Sequence, residues 1–186
     1  MAAYHIVLVH FPIALWMTAA LAIVWRALSD GPVALAIDRA LVPLLVVGLA
    51  SGVLAILVGL MVWPWDAVTT TPMGRNHILL AVWTTAYWAV MLITRILQGE
   101  ALWHGLGRWI MAALALLGAG LLGITGTLGG HLAGIYTDLS KLVLRPLGWE
   151  VHRTFYVPDA TLIVLVAAAI LLIAIAWWSR KPSTPV

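Results

Sequence analysis

Residues 41–63 decide the fold, and they read LVPLLVVGLASGVLAILVGLMVW without a single charged side chain. A helix that crosses a bilayer needs about 20 consecutive apolar residues. Similar segments occur before and after this one, so the predicted spans are 11–27, 41–63, 78–96, 109–128 and 160–178. The sequence therefore predicts an all-α integral membrane bundle of five transmembrane helices, in a single domain that covers residues 1–186.

The composition of the chain supports the membrane class. It is 63% hydrophobic and 9% charged, with a mean hydropathy of +1.06, whereas soluble domains carry roughly a quarter charged residues. The absence of cysteine excludes disulfides, iron–sulfur clusters and covalent c-type heme. The net charge of +3 comes from few residues, so we expect the lipid bilayer and no nucleic acid as a partner.

The basic residues indicate the orientation of the predicted spans. Side A denotes the membrane side of the N-terminus, and side B the opposite side. Side B receives six of the ten Lys and Arg residues: Arg26, Arg39, Arg95, Arg108, Arg180 and Lys181. Because cytoplasmic loops are enriched in such residues, we predict a bacterial inner-membrane protein with a periplasmic N-terminus and a cytoplasmic C-terminus. Residues 129–159 form the longest predicted surface loop, and no internal repeat is evident.

The histidines are gathered on side A. This side receives five of the six: His5, His10, His77, His131 and His152. Three of them, His10, His77 and His131, lie where a predicted helix meets the membrane surface. Pro12 suits the first turn of a helix, which places His10 at the entrance of the first span, although residues 4–9 can extend this short span.

Each of these three histidines can turn towards the interior of the bundle. Residues four and seven positions along a helix share its face. On this basis we expect Ala14 and Met17 to follow His10 on an inward face, and Thr84 to follow His77. The fourth predicted span is also rich in glycine, which lets a flat macrocycle or another helix approach its backbone.

Neutral imidazoles beside an apolar slot suit heme b, and a pair of them suits electron transfer because no iron position stays open. We predict His10, His77 and His131 as the iron or metal ligands, with His5 and His152 as substitutes or supporting neighbours. Arg75 and Arg153 are predicted partners for the heme propionates. The sequence does not decide which pair binds iron. Asp66 and Asp138 are candidates for receiving a proton from a quinol or orienting a ligand imidazole.

Two other interpretations remain open. Histidines at a membrane surface need no cofactor, and glycine stripes in membrane helices often serve helix packing. The chain is then a non-catalytic membrane anchor or assembly subunit of a larger complex. Alternatively, the histidines hold a copper or zinc ion that faces the periplasm.

Three motifs carry a family resemblance. The opening His5-Ile-Val-Leu-Val-His10-Phe-Pro-Ile-Ala-Leu resembles the start of a family of small bacterial membrane proteins. Members also have a glycine with a Trp/Asp turn after the second span, matched by Gly59 and residues 63–66. A histidine that opens the third span is matched by His77, and a Gly-Gly-His-Leu motif is matched by residues 129–132.

This chain departs from the family pattern at two places. Ile6 stands where the family has proline, and residues 133–136 replace a Val-Tyr segment. The family is similar to redox-associated proteins, and the resemblance implies heme or electron-transfer work. Together with the histidines, it favours a b-type cytochrome subunit rather than a stand-alone enzyme. Such a subunit carries electrons between membrane quinone and a periplasmic redox partner.

Overall fold

The computed structural model describes residues 2–135 and Ala167, and within residues 2–135 the backbone is helical apart from short connections. The chain forms two compact units, Met1–Thr154 and Phe155–Val186. Of the second unit only Ala167 is described, and it is helical and exposed. The helices of the first unit are α1 (Ala2–Leu28), α2 (Pro32–Val62), α3 (Trp65–Thr69), α4 (Pro72–Gln98), the 3₁₀ helix η1 (Gly99–Trp103) and α5 (Leu106–Leu132).

Four of these helices are long and apolar enough to cross a membrane, namely α1, α2, α4 (extended by η1) and α5. Three of the first four predicted spans lie within them and the span 41–63 ends one residue beyond α2, so the all-helical membrane class is confirmed. The helices extend beyond the predicted spans, and α5 continues to Leu132, which places His131 in its last turn. The predicted fifth span, 160–178, lies outside the described residues apart from Ala167, as does the surface loop beyond residue 135.

The expected position of Pro12 in a first helical turn is wrong, whereas the extension of the first span over residues 4–9 is confirmed. α1 begins at Ala2, and Pro12 lies inside it and is buried. A proline within a helix removes one hydrogen bond to the carbonyl four residues earlier, but membrane helices tolerate this loss where neighbouring elements satisfy the freed group. His5 rather than His10 therefore lies near the start of the first span.

The four long helices form a ring in which α1 and α4 lie diagonally opposite each other. α1 packs against α2 and α5, and α4 packs against the same two helices. In the centre, the indole rings of Trp16 from α1 and Trp88 from α4 stack with their centroids 5.9 Å apart. An aromatic pair therefore lies within the core, and it joins the two diagonal helices.

Glycines on the other two helices make room for these indoles. A Cβ atom on Gly48 would lie 2.6 Å from Nε1 of Trp16, and one on Gly52 would lie 2.6 Å from its Cη2. On α5, a Cβ atom on Gly118 would lie 3.0 Å from Cζ2 of Trp88. The Gly48/Gly52 spacing predicts close packing against α2. The group that packs there is the indole ring of Trp16.

The ends of the bundle differ in chemistry. The histidine end contains His5, His77 and His131. The arginine end contains Arg26, Arg95 and Arg108 together with the connections that follow α1 and α4. In the connection after α4, Gly99 and Gly105 have φ angles of 53° and 54°, which side-chain-bearing residues rarely adopt.

Trp103 of η1 differs from the tryptophans that form an aromatic belt at membrane surfaces. Its side chain is fully buried, and the guanidinium groups of Arg26 and Arg95 lie 5.3 Å and 5.9 Å from the centre of its ring system. Cations at this distance are attracted to the face of an aromatic ring. Trp63 and Trp65 at the histidine end are exposed, as a belt at the membrane surface requires.

Candidate functional site

His5 is held in the groove between α1 and α2. Its half-buried ring lies on Gly59, where an added Cβ atom would come within 2.8 Å of Cε1. Its Nδ1 atom is 3.0 Å from the carbonyl oxygen of Ala55. A glycine at position 59 is therefore required for the ring to reach this carbonyl, and the hydrogen bond fixes the orientation of the ring.

His77 is held in the same way between α4 and α5. α4 starts at Pro72 after the Thr71 hydroxyl, which accepts a hydrogen bond from Gly74 N at 3.1 Å. Nδ1 of the half-buried His77 is 3.1 Å from the carbonyl oxygen of Thr125. A Cβ atom on Gly129 would come within 2.9 Å of its Cε1. The second ring is thus seated on a glycine and oriented by a backbone carbonyl.

These hydrogen bonds determine the tautomer of both rings. A carbonyl oxygen can only accept, so Nδ1 of His5 and of His77 must each carry the proton that is donated. In a neutral imidazole the lone pair then resides on Nε2, which is the atom available to bind a metal. His5 and His77 thus each keep a potential ligand atom, on two diagonal helices at the same end of the bundle.

The other histidine near the start of α1 lies differently. His10 is exposed, and its Nδ1 is 2.6 Å from the carbonyl oxygen of Ile6 on its own helix. The predicted inward face of α1 is wrong, because Ala14, Met17 and Leu21 are exposed as well. In a bilayer both the lipid-facing and the buried faces of a helix are apolar, so the sequence did not distinguish them.

His131 lies at the histidine end as predicted. It is in the last turn of α5, its residue is 5% exposed, and it forms an interaction of its own. A helix C-terminus favours positive charge, so this environment differs from that of His77 near the start of α4. His152 lies outside the described residues.

The remaining predicted site residues are partly placed. Arg75 is half-buried in the first turn of α4, two residues before His77, and it takes part in an interaction. Asp66 is exposed in the first turn of the short helix α3. Arg153 and Asp138 lie outside the described residues. Within residues 2–135, no group of three or more His, Asp or Glu side chains could hold a metal ion.

Sequence reasoning missed an ionic cluster at the arginine end. Arg95 donates to Asp38 through Nε at 3.2 Å and through Nη2 at 2.7 Å, and both residues are buried. The signal was present, because Asp38 and Arg95 interrupt otherwise apolar helices. Ionisable side chains within membrane helices are costly unless paired, so their pairing was the natural expectation.

Four further residues complete this ionic cluster. Asp30 accepts from Arg108 at 2.9 Å and also pairs with Arg26. Glu100 lies 3.2 Å from Arg95 and 3.6 Å from Arg26. The cluster joins the connection after α1 to the connection after α4, so it ties the two helical hairpins together at this end.

The donor set at the histidine end fits heme b. His5 and His77 are two imidazoles on separate helices, both with Nδ1 engaged and Nε2 available, and the glycine under each ring keeps the helix backbone close. Comparisons with protein-family models, with curated proteins and with solved structures found no match to this chain. The residues and their geometry therefore carry the functional argument by themselves.

Proposed function

We propose that this chain is a b-type cytochrome subunit of a membrane electron-transfer system. Heme b is held at the histidine end, and electrons pass between membrane quinone and a redox partner on the same side of the membrane. The single observation that carries the proposal is that the rings of His5 and His77 share one tautomer and one hydrogen-bonding pattern. Each ring donates Nδ1–H to a backbone carbonyl and keeps a lone pair on Nε2.

The backbone carbonyls that accept from these rings favour a permanent ligand role. A ligand histidine usually donates its other N–H to a carbonyl or carboxylate, which fixes the ring and raises its basicity. Ala55 and Thr125 supply those carbonyls from α2 and α5. When bound, heme supplies a one-electron redox couple, and two imidazole ligands favour electron transfer over substrate binding.

Arg75 is the described residue proposed to pair with a heme propionate at this end of the bundle. Heme propionates are anionic, and guanidinium groups bind carboxylates through charge-assisted hydrogen bonds. Arg75 is one half-turn from His77 on α4 and lies at the end of the bundle where a polar edge of heme would face the surface. Arg153 belongs to the same proposal from the sequence alone.

The finer topology is also part of the proposal. A fifth span over residues 160–178 places the C-terminus on the side of the arginine end, which the basic residues assign to the cytoplasm. The histidine end then faces the periplasm of a bacterial inner membrane. Quinone is the expected electron donor or acceptor because it is the mobile redox carrier dissolved in the lipid that surrounds the bundle.

Absorbance spectroscopy of purified protein tests the proposal. The full chain is purified in mild detergent, loaded with hemin and compared with the His77→Ala variant. His104→Ala is the matched control, because Nδ1 of His104 also lies 3.0 Å from a backbone carbonyl, that of Glu100, but at the arginine end. We expect a reduced-minus-oxidised b-type band in the wild type and in His104→Ala, and an altered or absent band in His77→Ala.

Metal quantification gives the complementary result. The proposal is supported if the iron content is high in the samples that show the b-type band and low in the samples that lack it. Wild-type protein that shows no b-type band, or that binds copper or zinc at the histidines in preference to heme, overturns it. A complex that retains full heme content and activity after all described histidines of this end are replaced favours the role of a non-catalytic anchor and also overturns it.

A further inference from the structure

The two helical hairpins of the bundle share a set of residues at matching positions. Trp16 follows His5 by eleven positions in α1, and Trp88 follows His77 by eleven positions in α4. In the partner helices, Gly59 follows Gly48 by eleven positions, and Gly129 follows Gly118 by the same number. Each hairpin therefore has a histidine and a tryptophan on its first helix and two glycines on its second.

The contacts within the two hairpins match as well. His5 lies on Gly59 and donates to the carbonyl four residues before that glycine, at Ala55. His77 lies on Gly129 and donates to the carbonyl four residues before it, at Thr125. Likewise, the indole of Trp16 lies on Gly48, and that of Trp88 lies on Gly118. Equivalent residues thus make equivalent contacts.

Burial follows the same correspondence along the helices. Five buried positions of α1 coincide with five of α4 when the numbering is shifted by the difference between His5 and His77. Five buried positions of α2 coincide with five of α5 when it is shifted by the difference between Gly59 and Gly129. The pairs are Pro12/Thr84, Trp16/Trp88, Ala19/Met91, Ala20/Leu92 and Ile23/Arg95, and then Leu41/Met111, Leu45/Ala115, Gly48/Gly118, Gly52/Leu122 and Ala55/Thr125.

The arrangement of the helices supplies the symmetry operation. α1 and α4 lie diagonally, as do α2 and α5, so a two-fold rotation about the bundle axis exchanges the hairpins. Trp16 and Trp88 are equivalent under this rotation, and they stack 8° from parallel in the centre. Membrane proteins built from parallel repeats have such an axis along the membrane normal, with binding sites at the interface of the repeats.

We infer that the bundle is a tandem repeat of one helical hairpin, and that His5 and His77 are its equivalent pair of heme ligands, facing each other across the pseudo-two-fold axis. This inference rests on the proposed heme function and decides which histidines serve it. Nε2 of one imidazole from each hairpin would hold a heme shared by the two hairpins, and the heme would supply a one-electron redox couple. The expected stoichiometry is one heme per chain.

The other histidines lack an equivalent in the second hairpin. The position that corresponds to His10 is Val82, and both are exposed. The position that corresponds to His131 is Met61, which is 84% exposed although His131 is buried. A heme shared by the two hairpins therefore does not use His10 or His131. The inference replaces these two sequence-based candidates by His5, as the partner of His77.

The test compares single alanine variants of His5, His10, His77 and His131. Each variant is purified as the full chain and titrated with hemin. For the wild type we expect saturation at one hemin per chain and a low-spin, six-coordinate spectrum. His5→Ala and His77→Ala should each produce the same shift to a high-spin, five-coordinate spectrum. Added imidazole should restore the low-spin form in both, which shows that the variants are folded. His10→Ala and His131→Ala should retain the wild-type spectrum.

A second measurement tests the geometry without heme. The chain contains no cysteine, so a His5→Cys/His77→Cys double variant carries the only two thiols. A short bis-maleimide should link them within one chain, as detected by mass spectrometry of a protease digest. The matched variant His10→Cys/His77→Cys should remain unlinked, because residue 10 faces away from the bundle.

The outcomes separate the two proposals. Wild-type protein that binds no hemin overturns the proposed function, whereas the cross-link tests the facing pair independently. Hemin that binds while His10→Ala or His131→Ala, rather than His5→Ala or His77→Ala, changes the spin state overturns the inference and leaves the cytochrome function standing. Two hemins per chain, or the absence of a link between residues 5 and 77, also overturns the inference.

Discussion

The indole ring of Trp16 lies against that of Trp88 in the centre of the bundle, with centroids 5.9 Å apart and planes 8° from parallel. Both rings are fully or almost fully buried. Aromatic pairs at this distance contribute about 0.5–1.5 kcal/mol beyond the burial of their area. The pair joins α1 to α4, which otherwise lie diagonally, so it adds a central contact between the two hairpins to the packing of α1 on α5 and of α2 on α4.

The first prediction concerns the glycines that admit these indoles. Gly52→Ala would place a Cβ atom 2.6 Å from a rigid ring atom of Trp16, so the helices must move apart. Overpacking of this kind costs about 1–3 kcal/mol. We expect Gly52→Ala and Gly118→Ala to lower the free energy of unfolding by that amount, measured by SDS titration in mixed micelles.

The control for this prediction is Gly120→Ala on α5. No heavy atom would lie within 4 Å of its added Cβ atom, and alanine is favoured over glycine within helices by up to about 1 kcal/mol. The control should be neutral or stabilising. Equal destabilisation by Gly52→Ala and Gly120→Ala would contradict the close contact between the Trp16 ring and Gly52.

The second prediction concerns the buried ion pair between Asp38 and Arg95. Asp38→Asn keeps the volume but removes the charge that neutralises the guanidinium group. Breaking a buried pair by removing one partner costs about 3–5 kcal/mol. Because Arg95 also contacts Glu100 at 3.2 Å, we expect the lower part of that range in an SDS titration.

Two variants sharpen this test. Arg39→Gln removes an exposed arginine next to Asp38 in the sequence, and it should leave stability unchanged. The double variant Asp38→Leu/Arg95→Met leaves no uncompensated charge, so it should be more stable than Asp38→Asn. A double variant that is less stable than Asp38→Asn would show that the charge itself does not cause the loss.

The sequence predicted the spans well and their faces poorly, for one physical reason. Apolar length identifies a helix that can cross a membrane, because unsatisfied backbone groups are excluded from lipid. The same apolarity hides which side of the helix packs inward, since lipid and protein interior accept the same side chains. For this reason His10 was expected to face inward and is exposed, whereas the inward position of Thr84 was predicted correctly.

The histidine pair was only half predictable. His77 was expected among the ligands, but His5 was expected only as a substitute, because Pro12 suggested a later start of α1. The repeat was not evident, because between residues 5–16 and 77–88 the identical positions are only a His, an Ile, a Leu, an Ala and a Trp. The equivalence appears when contacts are compared, since the His and the Trp of each segment are the residues shown to touch glycines of the partner helix.

The third prediction concerns pH. Asp30 lies in the connection between α1 and α2, and hydrogen bonds from Arg108 and then Arg26 hold its pKa below the ordinary value of 3.8. A carboxyl group with a lowered pKa in the folded state stabilises the protein above its unfolded pKa, and this stabilisation is lost as the pH falls through the folded pKa. Thermal stability should therefore decrease on acidification below about pH 4.

Asp30→Asn tests this dependence. The variant should lose part of the acid sensitivity, and its difference from the wild type should shrink at high salt, because the carboxyl group is exposed and its ion pairs are screened. Arg39→Gln should retain the wild-type profile. Identical melting profiles of the wild type and Asp30→Asn between pH 3 and 7 in low salt would contradict the prediction.

The fourth prediction concerns the buried hydrogen bond between Thr84 and Thr125, whose hydroxyl oxygens are 2.9 Å apart. The Thr125 hydroxyl donates to the carbonyl of Leu121 at 2.8 Å, so Thr84 must be the donor of the pair. Thr84→Val removes only this donor and should cost about 0.5–1.5 kcal/mol. Thr125→Val deprives the buried Thr84 hydroxyl of its acceptor and should cost more, about 1–3 kcal/mol.

This order of effects can be measured by SDS titration with Thr127→Val as the control, because the Thr127 hydroxyl bonds only within its own helix, to the carbonyl of Gly123. If Thr125→Val is no more destabilising than Thr84→Val, the Thr84 hydroxyl finds another acceptor and the assigned direction is wrong. Neither variant removes the Thr125 carbonyl that orients His77. Both should therefore retain the spectrum of the hemin-loaded protein while they lower its stability, which separates the packing of α4 on α5 from ligation.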